Sequence, residues 1–191
     1  MSKKLKPLIV TAMLAAVAVV LFFLEFPLFP AAGHLKLDFS DIPALVGALV
    51  FGPACGVLIE LLKNLIELII KGVGTQMGFG NLMNFAVGVA FVLPFSLVVR
   101  RAKKQGKPVG ASTRASASCA GMLALLAAGL AMNFLITPLF FRYFLKIPLT
   151  TADVLPVVGF AEALNAIKGA ILIGAGCALT GNRQLERLLR G

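Results

Sequence analysis

The stretch LKLDFSDIPALVGALVFGPACGVLIELLKNL, residues 35–65, decides the fold of this chain. A polar segment leads into an apolar run, which breaks at Gly52-Pro53 and resumes with charged and amide side chains inside it. A Gly-Pro pair ends one helix and starts the next, because proline suits the first helical turn but not the helix interior. We therefore predict helices over residues 41–51 and 53–71, joined by a tight hairpin at ALVFGPACG (48–56).

Apolar stretches of this kind recur along the whole chain. Of its 191 residues, 59% are hydrophobic and only 14% are charged, unlike an ordinary soluble domain. This composition predicts an all-α integral membrane protein with six transmembrane helices in a single membrane domain, residues 1–191. The second helix is too short to cross the bilayer straight. The predicted helices cover residues 7–26, 41–51, 53–71, 79–99, 115–141 and 153–181.

The net charge of +10 comes largely from three basic clusters, so it does not require a nucleic-acid partner. With the positive-inside rule, six crossings bring all three clusters to the cytoplasm, together with both termini. The first apolar run is longer than a signal-peptide core, which favours an uncleaved first helix. The clusters are Lys3, Lys4 and Lys6; Arg100, Arg101, Lys103, Lys104, Lys107 and Arg114; and Arg183, Arg187 and Arg190.

The third predicted helix carries a polar stripe. At about 100° per residue, five side chains fall within roughly a third of the circumference. Spacing of four residues predicts ion pairs of Lys63 with Glu67 and of Glu67 with Lys71, which help the helix to cross. The opposite face, with Leu58, Leu62, Leu65 and Ile69, is left for lipid or apolar neighbours. The stripe consists of Glu60, Lys63, Asn64, Glu67 and Lys71.

Amide side chains and one lysine enter the membrane from the outer side. Their depth predicts a ligand pocket that is open to the outside and closed inward, unlike a pore, which needs a continuous polar lining. Asparagine both donates and accepts hydrogen bonds, so it suits a neutral ligand rich in hydroxyl or amide groups. For each asparagine alone, hydrogen bonding between helices is the alternative. The residues are Asn81, Asn84, Asn133, Asn165 and Lys168.

Sequence motifs of enzymes are missing. The chain has no phosphate-binding loop, no H-E-x-x-H and no G-x-S-x-G, and His34 is its only histidine. A small membrane enzyme with Glu60 or Glu67 as base stays as an alternative, as does a scaffold without ligand. Neither a disulfide nor a metal site is expected, because the cysteines are odd in number and widely spaced. They are Cys55, Cys119 and Cys177.

Residues 35–65, with D-F-S-D-I-P and F-G-P, resemble the first loop and the second and third helices of a known family. That family is the riboflavin-specific substrate-binding subunit, or S component, of bacterial energy-coupling factor (ECF) vitamin transporters. The resemblance continues through NFAVGVAF (84–91), MNF (132–134) and NAIKG (165–169), so it covers nearly the whole chain.

The resemblance implies a multi-pass protein of the bacterial cell membrane that captures riboflavin from outside, with no cofactor of its own. The pocket would lie among helices four to six, under the first loop. FMN is the alternative ligand if Lys168 or Lys36 meets a phosphate, and another vitamin is a further one. The implied ligand residues are Asn133, Asn165 and Lys168, with Asn84, Leu37, Asp38 and Phe39 near the flavin.

The resemblance also implies partner proteins. S components dock on a transmembrane coupling subunit that carries two cytoplasmic ATPases. In the family, small residues spaced A-x-x-x-A on the first helix make this contact, and Ala12 and Ala16 fit that spacing here. Small residues one turn apart let helices approach closely.

Overall fold

A computed structural model of the chain describes residues 5–30, 35–72, 78–147 and 151–181. Within these ranges it contains six α-helices and a two-stranded antiparallel ribbon. The elements are α1 (Leu5–Phe23), β1 (Phe26–Pro27), β2 (Lys36–Leu37), α2 (Asp41–Val50), α3 (Pro53–Lys71), α4 (Phe79–Lys104), α5 (Ala111–Phe140), a π-helical turn (Phe141–Leu145) and α6 (Thr151–Gly181). His34, Lys3, Lys4, Arg183, Arg187 and Arg190 lie outside the described residues.

The six expected helices are present, and their boundaries differ most from the predicted ones at the end of α1, at the end of α4 and at the start of α5, which begins at Ala111 instead of residue 115. Helix α1 ends at Phe23 instead of residue 26, because Phe26 and Pro27 pair with the β2 strand. Helix α4 continues past residue 99 to Lys104. Lysine and arginine are good helix formers, and cations in the last turn interact favourably with the helix dipole.

Helices α2 and α3 form a tight hairpin. Only two residues separate Val50 from Pro53, the first residue of α3. Gly52 between them has φ +117°, a conformation that other residues rarely adopt. The Gly-Pro pair therefore makes the turn that reverses the chain.

The helices pack in a connected bundle in which α4 lies between α3 and α5. Helix α1 packs on α2 and α3, α4 packs on α3 and α5, and α6 packs on α5. Phe91 and Phe95 of α4 are fully buried, with ring centroids 5.5 Å apart. Gly121 of α5 and Gly176 of α6 face these two rings, where a methyl group would collide with them. Glycine at these two positions leaves room for the two rings.

Helix α3 has its polar face inside the bundle and an apolar face outside. On α3, Glu60 and Lys63 are fully buried, whereas Leu65 and Ile69 on the opposite face are exposed. This arrangement suits a lipid environment. Within the described part of the chain, three segments are long and apolar enough to cross a membrane, and the apolar helices Pro7–Phe23 and Asp41–Val50 are shorter. The three are Phe79–Lys104, Ala111–Tyr143 and Asp153–Gly181.

Candidate functional site

A cavity of about 630 Å³ lies between the ribbon and helices α1, α3, α4, α5 and α6. Its volume is within the usual range for pockets that hold a small molecule. Much of its wall is apolar, with aromatic rings at Phe22, Phe79, Phe140 and Phe141. Six of the side chains that the sequence analysis assigns to the pocket or to the ligand line it: Asp38, Asn81, Asn84, Asn133, Asn165 and Lys168.

The remaining residues implied by the family resemblance lie elsewhere. Leu37 is buried in the ribbon, and Phe39 is partly exposed with its ring 6.4 Å from that of Phe26. Neither side chain lines the cavity, although the neighbouring Leu35 and Lys36 do. Ala12 and Ala16 are exposed on α1 and also stand apart from the cavity wall.

Lys168 meets two carboxylates at the cavity wall. Its Nζ atom lies 3.0 Å from Asp41 Oδ2 and donates a hydrogen bond to Asp38 Oδ2 at 3.3 Å. Only 6% of the residue is exposed. An ammonium group at such a position needs paired charge and hydrogen bonds to offset the loss of hydration. The carboxylates thus add to the polar cavity in explaining why the helix tolerates a lysine.

A second buried lysine extends these contacts. Lys63 of α3 forms ion pairs with Asp41 and, at 2.8 Å, with Glu60, and it donates to Ser40 Oγ at 2.9 Å. We name the set Asp38, Ser40, Asp41, Glu60, Lys63 and Lys168 the buried charge cluster. Its three carboxylates and two ammonium groups give a formal charge of −1 when all are ionised.

The pairing on α3 differs partly from the helix-spacing prediction. Lys71 pairs with Glu67 at 2.7 Å, as the four-residue spacing indicates. Lys63 instead pairs with Glu60 and with Asp41 of α2, because α2 packs against the same face of α3. Glu67 also accepts a hydrogen bond from Asn81 of α4.

A second set of charges surrounds the more exposed end of the cavity. The Glu25 carboxylate lies 2.7 Å from both Lys36 Nζ and Lys71 Nζ, and so links the segment after α1 to β2 and α3. Partial burial acts to raise the pKa of Glu25, but the two ammonium groups outweigh it and hold that pKa below its usual value. We call Glu25, Lys36, Lys71 and Glu67 the rim charges; all four line the cavity.

Two cavity asparagines share an acceptor to which sequence reasoning gave no role. Asn133 Nδ2 lies 3.4 Å and Asn165 Nδ2 3.2 Å from the Glu162 Oε1 atom, and both donate to it. Glu162 stands three residues before Asn165 on α6, so helix spacing could have revealed that pair. Its contact with Asn133 joins two different helices, α6 and α5, so the spacing of residues along one helix does not predict it.

One polar atom at the cavity is unsatisfied. Asn84 Oδ1 is enclosed and has no hydrogen-bond partner within the described parts of the chain. Buried polar atoms normally have a partner, because leaving one unpaired costs about 1–3 kcal/mol. A ligand in the cavity with a hydrogen-bond donor would satisfy this oxygen.

Apolar helices long enough to cross a membrane, around a cavity lined by amides and a lysine, are typical of a membrane protein that binds a small molecule. A family model described as "ECF transporter, substrate-specific component" matches residues 6–177. The chain belongs to this family of substrate-specific components of ECF transporters.

Individual relatives agree with the family match. Riboflavin transporter FmnP of Bacillus subtilis (strain 168) is 32% identical over 171 residues, covering 88% of this chain and 87% of its own. Riboflavin transporter RibU of Lactococcus lactis subsp. cremoris (strain NZ9000) is 27% identical over 187 residues, covering 90% of this chain and 91% of its own. A solved structure, described as "Structure and mechanism of the S component of a bacterial ECF transporter", aligns with TM-score 0.66 and 26% identity, covering 99% of this chain and 100% of that one.

These similarities confirm the family predicted from D-F-S-D-I-P, F-G-P and N-x-x-K-G. They make the chain a transporter component and not an enzyme. The two candidate bases have structural partners: Glu60 pairs with Lys63, and Glu67 pairs with Lys71.

Proposed function

We propose that this chain captures riboflavin from outside a bacterial cell, as the substrate-specific component of an ATP-driven ECF transporter. The observation that carries the proposal is the cavity, with its aromatic rings, its four asparagine amides and Lys168. Relatives over most of the chain length, FmnP and RibU, are named riboflavin transporters.

The chemistry of the cavity suits a flavin. Riboflavin joins a flat heteroaromatic ring system to a chain of hydroxyl groups. Rings such as Phe22, Phe79 and Phe140 offer apolar surface to the flat part, while the amides supply both donors and acceptors to the rest. The unpaired Asn84 Oδ1 matches a ligand hydroxyl or N–H.

We further propose six membrane crossings with both termini in the cytoplasm and the cavity facing outward. Along α4, Asn84 lies in the first turns, and the basic residues Arg100 and Arg101 lie in the last. The separation along the helix axis is about 24 Å, most of the thickness of a hydrocarbon core. With the basic end inside, the cavity falls in the outer half of the membrane.

Inward release requires the coupling subunit and the two ATPases in this proposal. Ala12 and Ala16 support a docking surface on α1, because both are exposed and one turn apart. Their neighbours Met13, Val17 and Val20 are exposed as well, which leaves an apolar face for another transmembrane helix.

The identity of the ligand tests this proposal directly. The protein is purified in detergent from bacteria grown with riboflavin, the bound small molecule is released by denaturation, and its mass is measured. We expect chemically unchanged riboflavin in near-stoichiometric amount. FMN or a different vitamin in its place would reject riboflavin as the ligand, and a converted flavin would reject a purely binding role.

A further inference from the structure

We propose that Glu162 is a positioning residue that makes Asn133 a hydrogen-bond acceptor toward the ligand, so that the site selects a ligand with an imide N–H. This inference rests on the proposed binding of riboflavin and specifies which edge of the flavin the site reads. Glu162 itself is not among the residues that line the cavity, so it acts through the two asparagines.

Both amide hydrogens of Asn133 are taken up by the protein. Its Nδ2 donates to the backbone carbonyl of Gly129 at 2.9 Å and to Glu162 Oε1 at 3.4 Å. A side-chain amide has two hydrogens on nitrogen and two lone pairs on oxygen. Asn133 is 3% exposed and lines the cavity, so Oδ1 is the atom that it has left for a ligand. The ligand must therefore bring a donor to this position.

Asn165 and Lys168 add donors beside this acceptor. Asn165 Nδ2 donates one of its hydrogens to Glu162, and its other hydrogen is available to a ligand. Lys168 donates to Asp38 and pairs with Asp41, and its third N–H group is left for a ligand. The imide edge of a flavin presents a carbonyl, an N–H and a second carbonyl in sequence. An acceptor with donors nearby is the complement of that edge.

The acceptor oxygen of Glu162, and not its charge, sets this arrangement. Oε1 receives both amide nitrogens, whereas Oε2 is enclosed and has no hydrogen-bond partner among the described residues. A carboxyl oxygen accepts whether or not the other oxygen carries a proton. Glutamine can keep the same acceptor, but leucine cannot, and it would let each amide turn its nitrogen toward the ligand.

The packing of α5 on α6 supports the same arrangement independently. A methyl group at Gly129 would collide with Asn165 Nδ2 and with the Glu162 carboxylate. Glycine at this position leaves the room in which the two amides and the carboxylate meet. At Gly159, by contrast, an added methyl group meets nothing within 4 Å.

The test compares dissociation constants for riboflavin and for 3-methylriboflavin, in which a methyl group replaces the imide hydrogen. Equilibrium dialysis gives the preference for riboflavin as a ratio within each variant, so the fraction of folded protein cancels. The steric effect of the methyl group cancels when variants are compared, as in a double-mutant cycle.

We expect Glu162→Leu to reduce the preference for riboflavin at least about fivefold, and Glu162→Gln to keep it within about twofold of wild type. Gly129→Ala should reduce the preference as Glu162→Leu does, and the matched variant Gly159→Ala should keep it.

Two results would overturn the inference while riboflavin binding itself stands. In the first, Glu162→Leu keeps the wild-type preference. In the second, Glu162→Gln loses as much preference as Glu162→Leu, which would make the charge and not the acceptor responsible. If wild-type protein fails to bind riboflavin at all, the proposed function is wrong and the inference falls with it.

Discussion

The Asp38 carboxylate accepts a hydrogen bond from Lys168 at 3.3 Å, although 130 residues separate them in the chain. Asp38 lies between the ribbon and α2, and it also accepts a hydrogen bond from the Ser40 amide at 2.8 Å. The contact therefore fixes the segment before α2 to the side of α6 that faces the cavity. It joins the proposed ligand site to the buried charge cluster.

Weakening this contact should speed the release of ligand. Asp38→Asn removes the negative charge opposite Lys168 but keeps the size of the side chain, so the segment over the cavity is held less firmly. We expect riboflavin to dissociate about tenfold faster, which corresponds to about 1.4 kcal/mol. Stopped-flow displacement measures this rate. Asp153→Asn, at a position that does not line the cavity, is the control and should leave the rate unchanged.

Lys63, the lysine that pairs with two carboxylates of the buried charge cluster, should contribute more to the free energy of unfolding than an exposed lysine does. Lys63→Met leaves Glu60 buried without its counter-ion and leaves Asp41 with Lys168 alone, at an expected cost of about 3–5 kcal/mol. Lys71→Met removes a lysine whose side chain is 36% exposed and should cost about 1 kcal/mol or less. Unfolding in detergent compares the two. Equal losses of stability in the two variants would contradict the importance of the buried ion pairs. Adding Glu60→Gln to Lys63→Met removes the unpaired negative charge and should recover part of the lost stability.

The rim charges predict a dependence of stability on pH. Because Lys36 and Lys71 hold the pKa of Glu25 below its usual value, the two ion pairs stabilise the fold fully above the unfolded carboxyl pKa of about 4.3. This stability is lost as the pH falls through the lowered pKa of the folded state. Thermal unfolding should therefore separate wild type from Glu25→Gln at about pH 7 but not at about pH 2. A separation that is the same at both values would contradict this role of Glu25.

The same residues should disfavour a phosphorylated ligand. Glu25 and Glu67 pair with Lys36 and Lys71 at the exposed end of the cavity, so both lysines are already neutralised when a phosphate approaches them. Glu25→Gln leaves two cations with one carboxylate. We expect this variant to bind FMN at least about threefold more tightly relative to riboflavin than wild type does. Competition titrations with both ligands measure this change. An unaltered ratio of the FMN and riboflavin dissociation constants would show that Glu25 does not contribute to the selectivity between them.

Local patterns in the sequence predicted much of this architecture. The Gly52-Pro53 pair marked the hairpin, and about 100° spacing gathered the polar residues of α3 on one face. That spacing could not identify Asp41 as the partner of Lys63, because the two lie on different helices. The Glu162 contact with Asn133 was missed for the same reason, since it depends on how closely α5 packs against α6.

Most helix ends follow from the local sequence, but contacts with residues distant in the chain shift some of them. The sequence predicts the end of α1 at residue 26 because Pro27 interrupts the apolar run there. The pairing of Phe26 with Leu37 in the ribbon is a long-range contact that the composition of the run does not reveal. At α4, the basic residues after the apolar run are also good helix formers, so the helix continues beyond that run to Lys104.

The most direct test of riboflavin capture is a titration of riboflavin fluorescence with purified protein in detergent. The chain contains no tryptophan, so the emission of the ligand itself reports binding. We expect saturable quenching with one ligand per chain, weakened at least about tenfold by Lys168→Ala or Asn165→Ala. The control Ile167→Ala, at an exposed position between them on α6, should bind as wild type does. Absence of saturable quenching with wild-type protein would contradict the account.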